Sequence, residues 1–268
     1  MDIKGIVTGA AIAAVFGVGG YLAAANLNAD DMDTGAPSEQ IIALNDTQRD
    51  EVRSLVRETL IDNPEILEEV SVALEQKRSE AENDRRKGMI SERKDLIFSS
   101  AADHVAGNPE GDVTIVEFFD YNCPYCQRAL GDIQELIESD PNVKVVFKEF
   151  PVLSEESYDA ALVGIAMEKQ NLYMPFHDKL LMHQGRANKA TALQIAQDLG
   201  ADMAKLEADM ADPAAIETLR GTHSLADDLG INGTPAYVIG DEVLVGLAPL
   251  TELKKQIANV RENGCQVC

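Results

Sequence analysis

One short pattern constrains the fold of this chain more than any other: two strand-like segments flank a helix that begins at a pair of cysteines. The first segment is DVTIVEFF (112–119), and the second is NVKVVFKEFP (142–151). Both are rich in β-branched and aromatic residues, which is typical of buried strands. Between them a helix is expected to begin at Cys123 and to extend to about Ile137. A strand–helix–strand unit of this length predicts two parallel strands joined by a right-handed crossover.

The rest of the second half of the chain extends this unit into an α/β domain. Segment 155–228 has helical patterns throughout, and INGTPAYVIGDEVLVG (231–246) predicts a turn followed by two short strands. A last helix should have Thr251 as its N-cap and should end at Gly264. We therefore expect an α/β domain over residues 106–268, with a helical insert at about 155–228.

The first 25 residues differ from the rest of the chain in polarity. GIVTGAAIAAVFGVGGYLAAA (5–25) has no charged residue, is about long enough to span a bilayer, and ends in small residues that suit signal cleavage. We expect residues 1–25 to be a signal peptide or a membrane anchor and residues 26–45 to be a flexible linker. In either case the remainder would be exported to the periplasm or cell envelope, where disulfide bonds persist.

Residues 46–105 predict a helical arm made of two consecutive helices. Asp46 or Thr47 is expected to cap the first helix. Asn63 is expected to cap the second helix, which would start with Pro64 in its first turn.

The apolar face of this arm is incomplete. Its apolar residues are Val52, Leu55, Val56, Leu60, Ile66, Leu67, Val70 and Leu74. Beyond them the sequence is almost wholly polar until Met89, so the arm cannot build a core of its own. It therefore packs on the main domain or associates with copies of itself, which makes it a possible oligomerisation region.

The composition argues against several classes of function. The chain has 23 Lys and Arg residues against 46 Asp and Glu residues, a formal net charge of -23. Such an acidic surface repels phosphate backbones, so no nucleic acid is expected as a partner. Neither a phosphate-binding loop nor a Ser-His-Asp arrangement stands out, and no cofactor is expected.

The cysteine pair in DYNCPYCQRAL (120–130) is well placed for thiol chemistry. Cys123 lies at a helix start, where free backbone N–H groups and the helix dipole stabilise negative charge. Its pKa should therefore be lowered, and Cys126, one turn further on, is close enough to form a disulfide bond with it. A zinc site would need four convergent ligands, and an inert bridge across so short a loop would stabilise little. Disulfide exchange is the favoured interpretation, and a metal site and an inert structural bridge remain open at this point.

Four segments of the second half resemble a known family. They are VEFFDYNCPYC (116–126), FKEFP (147–151), AALVGIAM (160–167) and GTPAYVIG (233–240). Together they resemble the DsbA-type thiol–disulfide oxidoreductases of the bacterial envelope. The resemblance covers roughly residues 107–261 and implies a thioredoxin fold with an inserted helical domain.

The arm adds a second resemblance. With NPEIL at 63–67, it resembles the trimeric suppressor-of-copper-sensitivity branch of that family, some of whose members are disulfide isomerases. The resemblance implies an exported enzyme that forms or isomerises disulfide bonds in unfolded or misoxidised proteins. It also implies a membrane redox partner and a homotrimer. A thiol reductase, and a non-catalytic chaperone or copper-handling protein that uses the same thiols, are the alternatives.

The resemblance assigns roles to five residues. Cys123 matches the nucleophile, and Cys126 matches the resolving cysteine. Pro235 matches a proline whose preceding bond is cis, and the main chain of Thr234 would pair with an extended substrate segment. Glu117 matches a buried acid that relays the proton of the resolving cysteine.

Four further residues carry expectations of their own. Lys148, on the neighbouring strand, is expected to partner the buried acid. Tyr125 stands where the DsbA oxidases usually have His, and a phenol gives no positive charge, which implies a less oxidising couple. Cys265 and Cys268 are outside the family pattern; an incidental terminal bridge is the favoured interpretation, with an accessory redox pair and a metal clamp as the alternatives.

Overall fold

The computed structural model describes residues 44–265. The expected signal peptide or anchor at 1–25, nearly all of the linker at 26–45, and Cys268 lie outside the described residues. Within the described range, no helix is both long enough and apolar enough to cross a membrane.

Five strands form one mixed sheet in the described part of the chain. They are β1 (His104–Gly107), β2 (Val113–Phe119), β3 (Val143–Glu149), β4 (Ala236–Ile239) and β5 (Glu242–Val245). Their order across the sheet is β1-β3-β2-β4-β5. β2 and β3 are parallel, and the other neighbours are antiparallel.

Helices precede, connect and follow these strands. They are α1 (Asp46–Asp62), α2 (Glu65–Phe98), α3 (Pro124–Ser139), α4 (Glu155–Glu168), α5 (Tyr173–Leu181), α6 (Lys189–Asp198), α7 (Met203–Met210), α8 (Pro213–Asp228) and α9 (Leu250–Asn263). Because α3 joins the parallel strands β2 and β3, the predicted strand–helix–strand unit is confirmed. The fold class is also confirmed: an α/β fold with inserted helices α4 to α8 and an N-terminal helical arm.

The first helix is capped by a residue that the sequence analysis did not choose. Asn45 is the N-cap of α1, since its side chain accepts a hydrogen bond from the Gln48 N–H at 2.9 Å. The Gln48 side chain in turn accepts from the Asn45 N–H at 3.1 Å, which completes a capping box. The predicted caps Asp46 and Thr47 are wrong because this reciprocal pair places both of them inside the helix.

The second helix also starts differently from the prediction. Asn63 ends α1 instead of capping α2, because its backbone N–H and its side-chain Nδ2 both donate to Thr59 O, at 3.0 and 2.9 Å. Pro64 is the N-cap of α2. Near the other end of α2, Ile90 and Ile97 are fully buried. The last turns of α2 therefore belong to the packed domain, although the sequence placed them in the arm.

The last helix begins without a threonine cap. Pro249 is the N-cap of α9, so Thr251 lies inside the first turn and the predicted cap is wrong. The Leu250 N–H donates instead to Asp132 Oδ2 of α3 at 3.2 Å, a tertiary contact that satisfies the helix start. The predicted end at Gly264 is confirmed, and its φ of 73° is a left-handed conformation that glycine adopts readily.

Alternate residues of β2 face two separate cores. Ile115 and Phe119 pack with α3, α5 and α9 on one face of the sheet. Val116 and Phe118 pack with the end of α2 and with α8 on the other face. This division follows from the two-residue repeat of strand side chains, and it fixes which polar residues of the sheet can meet.

Gly164 of α4 lies against a buried carboxyl group. Tyr121 and Tyr173 both donate to Glu149 Oε1, at 2.9 and 3.0 Å. A Cβ atom on Gly164 would be 2.5 Å from the same oxygen and 2.9 Å from the Tyr121 hydroxyl oxygen. No larger residue fits at this position unless the hydrogen-bonded carboxyl moves.

Gly164→Ala should destabilise the protein by about 1–3 kcal/mol, because the added methyl group must displace the Glu149 carboxyl. Gly131→Ala is the matched control in α3, where a new Cβ would meet nothing within 4 Å. That change should be neutral or should stabilise by up to about 1 kcal/mol, since Ala favours a helix over Gly. Urea unfolding measures both, and equal stabilities would contradict the close packing at Gly164.

Candidate active site

Cys123 lies at the junction between β2 and α3. Its backbone N–H donates to Asp120 O at 3.0 Å, which closes the turn between strand and helix. With φ of -81° and ψ of 116°, Cys123 is the N-cap of α3, and Pro124 takes the first helical position. This position needs no N–H donor. The Cys123 side chain therefore lies beside the free N–H groups of the first turn.

Hydrogen bonds lower the pKa of Cys123 from 9.0 to about 5. The largest contribution comes from the Cys126 thiol, and the backbone N–H groups of Cys126 and Tyr125 add to it. The Thr234 hydroxyl acts in the same direction, although it makes no full hydrogen bond in the described structure. Burial opposes these effects because it disfavours the charged form. The direction agrees with the lowering expected at a helix start.

Cys126 has the opposite tendency. It is only 1% exposed, and burial raises its pKa above the ordinary value. Its hydrogen bond to Cys123 and the nearby Glu117 carboxylate raise it further. Both cysteines are free thiols in the structure. At neutral pH the reduced pair therefore consists of a thiolate at Cys123 and a thiol at Cys126 that donates to it.

Glu117 is buried in β2 on the side of the sheet that faces the two sulfurs. Its cross-strand neighbours are Phe147 of β3 and Tyr237 of β4. Burial raises the pKa of Glu117 to about 8, and the negative charge of Cys123 acts in the same direction. The Tyr237 hydroxyl lowers the pKa slightly, but its geometry falls short of a full hydrogen bond. Glu117 can therefore hold or release a proton near neutral pH.

The prediction that Lys148 partners Glu117 is wrong. Lys148 is in register with Phe118, one residue past Glu117, so its side chain lies on the opposite face of the sheet. There its Nζ donates to Leu96 O at 2.7 Å and forms a buried ion pair with Asp103. No cation of β3 therefore offsets the charge of Glu117.

The loop before β4 lies against the nucleophilic cysteine. The Thr234–Pro235 peptide bond is cis, as the resemblance implied. Cys123 Sγ is 3.2 Å from Thr234 O and donates a hydrogen bond to it when protonated, and Pro235 O accepts one from the Gly246 N–H at 2.9 Å. The structure thus brings together four of the predicted site residues, Cys123, Cys126, Thr234 and Pro235, with Glu117 beneath them.

Cys265, one member of the predicted accessory pair, is not part of this group. Cys265 is disulfide-bonded, and its Sγ is 3.9 Å from the place that a Cβ on Gly240 would take. Gly240 follows β4, whereas Pro235 precedes it, so about 17 Å of extended strand separates the two sites. Cys268 lies outside the described residues, so the pairing of these two cysteines stays a prediction.

Two residues that the sequence analysis did not single out hold the turn before Cys123. Asp120 is 1% exposed, and its Oδ2 accepts hydrogen bonds from the Val152 and Leu153 N–H groups at 2.9 and 3.0 Å. Its Oδ1 accepts from the Asn122 N–H at 2.7 Å. The available signal was the position of Asp and Asn just before a helix start, where such side chains commonly bind backbone N–H groups.

Glu117→Gln should stabilise the reduced protein relative to the wild type, and by more as the pH rises from about 4.5 to about 8. Glu117 ionises at about 8 in the folded state but at about 4.5 in the unfolded chain, so between these values only the folded state retains the proton. Ionisation of Glu117 therefore destabilises the fold as the pH rises through this window, by at most about 1.4 kcal/mol per pH unit, whereas the lowered pKa of Cys123 acts in the opposite direction. Gln cannot ionise, so the variant should lose the contribution of Glu117.

Urea unfolding at both ends of the window measures the effect. Glu110→Gln, in an exposed turn, is the matched control and should keep the wild-type dependence. The same pH dependence in Glu117→Gln and in the wild type would contradict the raised pKa.

Comparisons with known families agree with this geometry. Residues 114–258 match the family described as DSBA-like thioredoxin domain. Residues 48–81 match the copper resistance protein ScsC N-terminal domain. The two matches follow one another along the chain, as the arm and the α/β domain do.

Solved structures of several bacterial proteins are similar. A thioredoxin-like oxidoreductase from Silicibacter pomeroyi is 41% identical with a TM-score of 0.61, over 63% of this chain and 97% of that one. A Proteus mirabilis ScsC variant with a linker deletion is 29% identical with a TM-score of 0.64, over 82% and 98%. The thiol–disulfide exchange protein α-DsbA2 from Wolbachia pipientis is 30% identical with a TM-score of 0.62, over 67% and 98%.

Curated relatives include much longer proteins. The Na(+)/H(+) antiporter NhaA 1 of Salinispora arenicola is 32% identical over 139 residues, which are 51% of this chain but 21% of that protein. The chain thus spans about a fifth of the length of the curated relatives it matches. The first family match covers more than half of the chain, and the chain spans nearly the whole of the similar oxidoreductase structures. The chain therefore belongs to the DSBA-like thioredoxin domain family.

Proposed function

We propose that this chain forms or isomerises disulfide bonds in exported proteins through Cys123 and Cys126. The observation that carries the proposal is the asymmetry of the pair: an activated thiolate at the helix start and a buried thiol one turn further on. Disulfide exchange needs this combination, because one sulfur must attack while the other stays protonated until it is required. We place the activity in the periplasm or cell envelope, where such bonds persist.

In isomerisation, the Cys123 thiolate attacks one sulfur of a substrate disulfide. A bond forms between Cys123 and that sulfur, and the other substrate sulfur leaves as a thiolate. This thiolate attacks a different disulfide bond of the same substrate, and a substrate thiolate then attacks the mixed disulfide and restores the Cys123 thiolate. Electrons and protons balance, and no outside oxidant is needed.

In net oxidation, the pair begins as a disulfide bond. A substrate thiolate attacks Cys123, and Cys126 leaves and takes up a proton. A second substrate thiolate attacks the mixed disulfide and releases Cys123, so two electrons pass from the substrate to the pair. A membrane redox partner would then remove these electrons.

Glu117 is proposed to exchange a proton with Cys126. Sulfurs of high pKa are poor leaving groups, and burial raises the pKa of Cys126. Glu117 is buried close enough for its charge to act on both cysteines, and its pKa of about 8 lets it give or take a proton near neutral pH.

The surface around Cys123 suits unfolded or misoxidised protein substrates. Tyr125 and Leu153 are 51% and 53% exposed, and the Arg128 guanidinium lies 4.3 Å from the centre of the Tyr125 ring. Leu153 belongs to the segment that binds Asp120, so these apolar groups border the active-site turn. Unfolded chains expose apolar side chains and unpaired backbone, which this surface and the Thr234 main chain can bind.

Cys126→Ser should trap mixed disulfides between Cys123 and protein substrates, because the resolving thiol is gone. Cys123→Ser should abolish exchange. The Cys265→Ser, Cys268→Ser double variant should keep wild-type turnover, since Cys265 lies at the far end of β4. Non-reducing gels and turnover of a scrambled disulfide substrate provide the measurements. Exchange by Cys123→Ser would contradict the proposed function, and slow turnover of the double variant would support an electron relay through the tail.

We also propose that α1 mediates a homotrimer. None of its residues is buried, and Val52, Leu55 and Val56, which share one face, are all exposed. Most of the stability of a helix in a protein comes from the packing of its apolar face, so the exposed face of this 17-residue helix needs a partner. The match of residues 48–81 to the ScsC N-terminal domain and the resemblance to a trimeric branch favour further copies of the same chain. A trimer would present several active sites to one substrate, which favours isomerisation.

Val56→Glu should convert the trimer into a monomer, because three carboxylates would be buried at the shared apolar face. Ser54→Glu adds the same charge on the opposite side of α1, where it should leave the trimer intact. Light scattering gives the mass of each variant. A monomeric wild type would contradict the proposal and would leave isomerisation without its main support.

A further inference from the structure

Asn122, the residue before Cys123, connects the active-site turn to the helical insert. Its Oδ1 accepts a hydrogen bond from the Ala187 N–H at 2.9 Å, and its Nδ2 donates to Ala187 O at 3.0 Å. Nδ2 also donates to Ser157 Oγ at 3.0 Å. Ser157 lies in the first turn of α4, and Ala187 lies between α5 and α6. The amide thus uses both of its protons and binds two separate segments of the insert.

The backbone on either side of this amide is fixed as well. The Asn122 N–H donates to Asp120 Oδ1 at 2.7 Å, and the Cys123 N–H donates to Asp120 O at 3.0 Å. Asp120 itself is held by the segment between β3 and α4. The backbone from Asp120 to Cys123 is therefore restrained as long as the Asn122 side chain keeps its hydrogen bonds to the insert.

This restraint matters for the sulfur because its contacts are short and come from different elements. Thr234 O is 3.2 Å from Cys123 Sγ, and the groups that lower the pKa of this sulfur are the Cys126 thiol, N–H groups of the first turn of α3 and the Thr234 hydroxyl. Hydrogen bonds weaken steeply as distance and angle depart from the optimum. A small shift of the Cys123 backbone would therefore weaken contacts to α3 and to the Thr234 loop together.

We propose that Asn122 is a positioning residue for disulfide exchange, which holds Cys123 in place by fastening the active-site turn to Ser157 and Ala187 of the insert. The role goes beyond packing, because it couples the orientation of the inserted helices to the reactivity of the sulfur. The inference rests on the proposed function, in which Cys123 is the attacking group.

The insert contains a closely similar clamp that serves as a control. Gln170 Nε2 donates to Asp202 O at 3.2 Å, and Gln170 Oε1 accepts from the Asp202 N–H at 2.9 Å. This pair has the same chemistry as Asn122 with Ala187, but it joins two segments of the insert to each other. Removing it tests what the loss of such a clamp does to the insert alone.

The test compares Asn122→Ala, Ser157→Ala and Gln170→Ala. The pKa of Cys123 is read from the pH dependence of its alkylation, with the modified residue located by mass spectrometry. Asn122→Ala should raise this pKa by about one unit, because it removes three hydrogen bonds that hold the turn. Ser157→Ala, which removes one of them, should raise it by less, and Gln170→Ala should leave it unchanged.

The outcomes separate the positioning role from the proposed function. An unchanged Cys123 pKa in a folded Asn122→Ala protein would overturn the positioning role, as would an equal rise in Gln170→Ala. If circular dichroism shows that Asn122→Ala does not fold, Ser157→Ala decides, and an unchanged pKa there overturns the role. Exchange activity in Cys123→Ser would instead contradict the proposed function, whatever the pKa results are.

Discussion

The rest of the site depends on the interactions that stabilise the negative charge on Cys123. The chain has a formal net charge of -23, so its overall field disfavours another anion, and direct contacts must stabilise the thiolate. Those contacts come from the first turn of α3 and from the hydroxyl group of Thr234, which is 111 residues away along the chain. The end of β2 and the start of β4 must therefore meet, and the antiparallel pairing of these two strands makes them do so.

Much of this arrangement could be predicted because it is local. The apolar strand, the cysteine pair and the following helix are consecutive in sequence, so strand periodicity and helix-start physics were enough to place Cys123 at the end of β2. The helical stretch 155–228 was also visible as repeated apolar faces. Helix starts were less predictable: a reciprocal side-chain pair decided the start at Asn45, a tertiary contact decided the start at Pro249, and Asn63 ends α1 instead of capping the helix that starts at Pro64.

The remaining features depend on contacts between segments that are far apart in sequence. Lys148 was expected beside Glu117, but the register of β2 with β3 places it on the other face of the sheet. In β3, Lys148 and the next residue, Glu149, are both buried, on opposite faces of the sheet. In the sequence alone, this pair looks like ordinary surface charge. The three hydrogen bonds of Asn122 cross 35 and 65 residues, so no local pattern could reveal them.

The different pKa values of the two thiols also determine how the midpoint potential of the Cys123–Cys126 couple depends on pH. Above about pH 5 the reduced pair carries one proton, on Cys126, whereas below that value Cys123 is protonated as well. Reduction of the disulfide bond by two electrons therefore takes up one proton above about pH 5 and two protons below it. The midpoint potential should accordingly fall by about 30 mV for each pH unit above the break and by about 59 mV below it. Acidification of the surroundings would thus raise this midpoint potential without any change in the protein, but by less than that of an ordinary dithiol, whose thiols are both protonated near neutral pH.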